Sequence, residues 1–217
     1  IGVDPHVGVH PASHLLFIVI CCPVGAYYPE GLNPVKIYVE KNYVRAVRGG
    51  MGYTKTAGNY AGSILAGEKA HKAGYQVTAH AVSDKAVTIM VNAIEKALAA
   101  CPRKDHRHRI EHCGITNPEL IGRIAKLGIV PISNPSFISI NGTDYNRYYG
   151  SRVDFMFAMK SYLDAGIITA IGSDAPITYP NPMNSLFGAL NRMDQKTKDH
   201  TGENQKIRML EAVRMFT

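Results

Sequence analysis

The sequence has no tryptophan and only four cysteines in 217 residues, and no apolar run in it is long enough to cross a bilayer. The longest such run, residues 15–24, covers ten positions with Pro23 near its end, about half of the roughly 20 that a spanning helix needs. No transmembrane helix and no membrane partner are expected. Cys21 and Cys22 are adjacent, which would strain a disulfide between them. No pair among Cys21, Cys22, Cys101 and Cys113 has the C-x-x-C spacing of a zinc ribbon or redox motif. Reduced, buried, inert thiols are the expectation. The stretch Ile1-Gly2-Val3-Asp4 lacks the basic and apolar regions of a secretory signal, so a cytoplasmic location is expected.

Acidic residues are the scarcer charge, 17 against 24 basic ones, for a net charge of +7. The basic residues are scattered, with Arg103-Lys104 and Arg107 to Arg109 forming one short cluster. That pattern argues against a nucleic-acid partner and for a solvated surface that favours anionic small molecules. The apolar fraction of 46% is enough for one substantial core or two small ones.

Residues 15–24, 34–40 and 43–47 are rich in Val, Ile, Tyr and Phe and bounded by Gly, Pro and Asn, which predicts strands. Ala61, Ile64 and Leu65 then follow helical spacing, and the helix is expected to stop at Ala73-Gly74. Between strands and helix, the turn from Gly49 to Tyr60 places glycines on both sides of Lys55. Glycine lets backbone approach a ligand closely, and a lysine held there near Arg45 or Arg48 can have its pKa lowered for imine formation.

The runs Gly8-Val9-His10-Pro11, Pro23-Val24-Gly25-Ala26-Tyr27-Tyr28, Tyr43-Val44-Arg45-Ala46 and Lys55-Thr56-Ala57-Gly58-Asn59-Tyr60 resemble the branched-chain aminotransferases. The resemblance implies a fold-type IV, pyridoxal-phosphate-dependent segment over residues 1–74. Lys55 would carry the cofactor as an aldimine, Tyr60 would contact the ring oxygen and Arg45 would lie near the cofactor. The family's phosphate-binding arginine, pyridine-pairing glutamate and downstream phosphate loop have no counterpart in the chain.

From Gly74 onward, strand and helix alternate. Residues 76–80 read as a strand, and Ser83-Asp84 caps a helix with Val87, Met90, Val91, Ile94, Ala97 and Leu98 on one face. Residues 109–112 read as the next strand. Asn117-Pro118 opens a helix striped by Leu120, Ile121, Ile124 and Leu127, and Gly128 ends it. A strand over 129–133, a polar loop over 134–150, a helix over about 153–165 and a strand over 167–172 complete the pattern. About four β/α units imply a parallel sheet and a partial (β/α) barrel, preceded by the strand-rich α+β segment. His80, His112 and Asp174 fall at or just past strand ends, where such barrels build their active sites. Imidazole and carboxylate are ligands for zinc or a similar divalent metal, which turns bound water into a nucleophile. His6, His10, His14, His71, His106, His108 and His200 are read as structural.

His80-Ala81-Val82-Ser83-Asp84-Lys85-Ala86-Val87, Arg107-His108-Arg109-Ile110-Glu111-His112, Ile132-Ser133-Asn134-Pro135 and Gly172-Ser173-Asp174-Ala175-Pro176 resemble the amidohydrolase superfamily, in its branch of metal-dependent amidases and deformylases of N-substituted amides. Over residues 75–217 the resemblance implies His80 and His112 as metal ligands after barrel strands five and six. Asp174 then binds metal and takes the proton of the attacking water. Asp84 and Arg109 share these motifs, with helix capping and a salt bridge as their expected roles. The family's first-strand histidine pair and its bridging lysine are missing. Three functions follow as expectations: a hydrolase of amide-type C–N bonds, its activity open to loss with half of the barrel missing, an aminotransferase fragment, and an inactive chimeric chain. Two uncovered sheet edges would invite a homo-oligomer, and residues 139–152 and 177–183 would line the barrel mouth.

Overall fold

A computed structural model describes residues 62–216, with side chains from residue 67 onward. The three strands expected before residue 48, together with Arg45, Lys55 and Tyr60, lie outside the described residues.

Helix α1 (Gly62–Lys72) ends as expected at a glycine. Gly74 takes φ 86°, and its amide reaches the His71 carbonyl at 3.0 Å. A left-handed residue closing the last turn is the ordinary glycine stop. Strand β1 (Thr78–Ala81) leads to α2 (Asp84–Ala100), whose N-cap Ser83 accepts a hydrogen bond from the Ala86 amide. Strand β2 (Arg109–His112) and helix α3 (Pro118–Leu127) follow. Asn117 caps α3 by accepting from the Leu120 amide, Pro118 sits in its first turn, and Gly128 ends it at φ 65°. Each cap satisfies a backbone group that the helix end leaves open, worth about 1 kcal/mol.

Strand β3 (Val130–Ser133) runs directly into α4 (Ser136–Tyr149), where a polar loop was expected. The expected 153–165 helix is a 3-10 turn over Gly150–Phe155 and a short α5 (Met159–Asp164). Strand β4 is only Ala170–Ile171, shorter than expected, and α6 (Pro182–Asn191), a 3-10 turn (Glu203–Gln205) and α7 (Met209–Arg214) complete the order.

The four strands form one parallel sheet in the order β1-β2-β3-β4, so the partial-barrel expectation holds. Register pairs Thr78 with Arg109 and His80 with Glu111, which puts these four on one face. Ala81 and Ile110 face the other way, into a core with Val87, Val91 and Ile94 of α2 and Leu120, Ile121 and Ile124 of α3. Helices therefore cover one face of the sheet, and the opposite face, a barrel's interior, carries the polar residues. A second core joins Met159, Ile171, Ala189, Ala212 and Met215. A third, of Ile115, Ile138, Val153, Met156 and Phe157, lies beyond the carboxyl ends of β1 and β2.

Among the described residues no helix is long and apolar enough to cross a membrane. Cys113 is fully buried and its thiol is pushed up to about 12 by burial, which fits the inert role expected of it.

Candidate active site

His80 and His112 leave adjacent parallel strands side by side. His80 is exposed on the polar face, whereas His112 is 7% exposed. Strict alternation would turn His112 toward the helices, since its register partner is the buried Ala81. The backbone at His112 is left-handed instead, φ 68°, followed by Cys113 at φ 42°. That kink breaks the alternation, and the two imidazoles meet edge to face with ring centroids 4.5 Å apart. Left-handed backbone is costly for residues other than glycine, by about 1–3 kcal/mol, and such outliers gather at functional sites. Asp174, just past β4, is a second case at φ 58°. Gly114 permits the close approach here, because a Cβ would lie 2.6 Å from the Val82 carbonyl oxygen.

The proton on His112 is fixed by its neighbour. Asn134, at the end of β3, donates through Nδ2 to the Gly172 carbonyl at 2.8 Å. Its Oδ1 therefore faces His112 Nδ1, 2.7 Å away. An amide oxygen accepts only, so His112 carries its proton on Nδ1 and leaves the Nε2 lone pair available as a ligand or base. Gly172 keeps this geometry, since a Cβ there would crowd Asn134 Nδ2 at 3.2 Å. A side chain that sets the tautomer of a metal-binding histidine is the usual partner of such ligands. Asn134 belongs to a motif quoted above, yet sequence alone gave it no role.

Below the histidines, Thr78 donates to Glu111 Oε1 at 2.6 Å, and Arg109 Nη2 pairs with the same oxygen at 2.9 Å. The salt-bridge role expected of Arg109 is observed. Asp84 is the first residue of α2, whose cap is Ser83, and its carboxylate accepts from the Lys85 amide. The Asp174 backbone carbonyl accepts from the Ile177 and Thr178 amides, closing the 174–178 turn, and Thr178 lies within 3.3 Å of Ser136 at the start of α4.

A small cavity of about 70 Å³ opens just past β1 and β2, lined by Val82, Gly114, Ile115, Tyr145, Tyr149, Met156 and Phe157. Two of the tyrosines expected at the mouth are therefore there, on a helix instead of a loop, while Tyr148 and Asp144 are exposed. Burial raises the Tyr145 phenol.

The structure brings His80 and His112 together and sets Asp174 at the end of the strand two places from β2. Among the described residues, no group of three or more His, Cys, Asp and Glu side chains is gathered closely enough to hold a metal ion. The two imidazoles fit part of a coordination shell, and a complete centre is not formed by the described residues.

Residues 66–217 match the amidohydrolase family. Two solved structures share the fold. One, an uncharacterised metal-dependent hydrolase of Pyrococcus furiosus, is 25% identical with a TM-score of 0.56 over 71% of this chain and 30% of its own. Another, from Pyrococcus horikoshii OT3, is 24% identical with a TM-score of 0.60 over 71% of this chain and 31% of its own. The chain is also 50% identical over 76 residues to branched-chain-amino-acid transaminase 1 of Bacillus subtilis strain 168, which is 35% of this chain and 21% of that protein. The chain thus spans about a fifth of that relative and under a third of the two hydrolases.

Proposed function

Because the chain belongs to the amidohydrolase family, we propose that its strand-end site is that of a metal-dependent hydrolase acting on amide-type C–N bonds. The observation that carries this is the His80–His112 pair, with Asn134 holding the His112 proton on Nδ1. His80 and His112 would bind a divalent ion such as zinc, with Asp174 as the third group. Such an ion supplies an activated water near neutral pH. The described residues do not by themselves complete its shell. The chain's own contributions are the orientation of His112 Nε2 by Asn134, the base at Asp174, and the small apolar cavity beside the histidines.

The test is hydrolysis of a panel of simple amides by the full chain in the presence of added zinc, manganese or cobalt. Release of amine that depends on metal and is lost in Asp174→Asn is expected. Turnover unchanged in Asp174→Asn would overturn the site assignment, and none with any metal would overturn the reading and leave the inactive chimera.

A second reading rests on the transaminase likeness over 76 residues. In it Lys55 binds pyridoxal phosphate as an imine, flanked by Tyr60 and Arg45. An imine absorbance band on adding the cofactor, abolished by Lys55→Ala, supports that reading, and an unchanged spectrum removes it.

A further inference from the structure

The opposite end of the sheet holds three histidines that the strand-end site does not use. His71, His106 and His108 are each at most 4% exposed, and all six of their ring nitrogens have partners. The Val77 amide donates to His108 Nδ1 at 3.0 Å, so the His108 proton sits on Nε2. That nitrogen is 2.8 Å from His71 Nδ1, which must accept. His71 then donates from Nε2 to the Cys101 carbonyl at 2.7 Å. His106 Nδ1 accepts from the His108 amide at 2.9 Å, and His106 donates from Nε2 to the Leu127 carbonyl at 2.8 Å. The direction of every bond is determined, and each ring is neutral with its proton on Nε2.

We propose that this cluster is an acid-released latch that holds α1 and the entry to β1 against the segment before β2. A proton added to any ring has one place to go, the Nδ1 that already accepts a hydrogen bond. It would set N–H against N–H: the Val77 amide at His108, the His108 amide at His106, or the His108 ring at His71. The first and third are the contacts joining β1 and α1 to residue 108. Arg103 reinforces the neutral state, donating to the carbonyls of His71, Tyr75 and Gly74 and placing its guanidinium 3.5 Å from His71 Nδ1.

The other charged groups around the cluster are Glu68 and Lys72 of α1, Lys96 of α2, Asp105 and Arg107 of the loop and Lys126 of α3. Glu68 faces Lys96 at 3.9 Å and Asp105 pairs with Arg107 at 2.7 Å, with a weaker attraction between Asp105 and the neighbouring His106. Burial first, then the neighbouring His106, His71 and Arg103, push His108 down to about 4 from an ordinary 6.5. With the folded value below the unfolded one, the latch is complete above about pH 6.5 and is lost as pH falls from there toward 4. The family match begins at residue 66, inside α1, so the latch sits where the chain enters its hydrolase-like part.

Hydrogen exchange on the full chain, corrected for intrinsic rates, tests this between pH 7.5 and 4.5. Protection of α1 and the Val77 amide should fall by up to tenfold per pH unit below about 6.5, while the centre of α2 near Val91 holds. His108→Asn keeps an acceptor and cannot titrate, so it should flatten the fall, whereas His71→Asn leaves His108 buried and should keep most of it. Should neither variant fold, nitrogen-detected NMR of the wild-type histidines reads the latch directly, with His108 neutral on Nε2 well below pH 6.5. Protection independent of pH, a fall that persists in His108→Asn, or His108 charging near 6.5 with α1 still protected would each overturn the proposal.

Discussion

Replacing Arg192 by methionine is expected to destabilise the fold by about 3–5 kcal/mol, within the range for removing one partner of a buried charged network. Arg192 is fully buried. Its guanidinium donates to four backbone carbonyls, those of Met156, Phe157, Thr201 and Gly202. Burial lowers its pKa to about 9, still above neutral, so the group is a buried cation held by peptide dipoles. Methionine fills much of the volume and leaves the Met156 and Thr201 carbonyls without their donor, while those of Phe157 and Gly202 keep the Met159 and Gln205 amides. Since a domain is stable by only about 5–15 kcal/mol, the transition should move down by about 10 °C or more. Thermal unfolding followed by circular dichroism reads the shift. Arg192→Lys should recover little, because one ammonium cannot span the four oxygens. A change under about 2 °C in both variants would show that the clamp carries no weight.

Gly188→Ala is expected to cost about 1–3 kcal/mol or more, for a steric reason. The added Cβ would lie 2.0 Å from the Pro135 carbonyl oxygen, 2.6 Å from its carbon and 2.8 Å from Ser139 Oγ. Two of these are backbone atoms that no rotamer change can clear, so α6 must move off α4 at about 1–3 kcal/mol or more. Pro135 follows Asn134, so the displacement should also loosen the hold on His112. A denaturant midpoint lowered with an unchanged slope, together with an altered His112 imidazole signal, is the expected pair of results. An unchanged midpoint would contradict the close crossing of α4 and α6.

The same crossing explains why α4 is hard to read from sequence. Its buried residues are Ser136, Ile138, Ser139 and Gly142; three of the four are small, Ser139 lies against Gly188 of α6, and Ile138 alone leaves no apolar stripe at helical spacing. Helix α3 is the opposite case. Asn117, Pro118 and Gly128 act through their own backbone, so its ends are legible without tertiary context. Strand β4 was overread because Ile167 and Ile168 continue the apolar run, whereas Ile167 joins the helical core and Ile168 is 80% exposed. At the site, strand-end position singled out His80 and His112, whose rings the structure places side by side. Asn134 escaped because its role depends on the Gly172 carbonyl, 38 residues away. The His71–His106–His108 cluster was correctly read as structural, yet most of its bonds cross 20 residues or more and its proton order has no trace in the local sequence.

The proposed hydrolase requires the two strand-end imidazoles to hold a metal. The decisive measurement is metal content by mass spectrometry of gel-filtered protein, for the wild-type chain beside His80→Ala and His112→Ala. Zinc or a similar divalent ion is expected in the wild type, and its loss from both variants. Metal absent from the wild type, or retained unchanged in either variant, would contradict it.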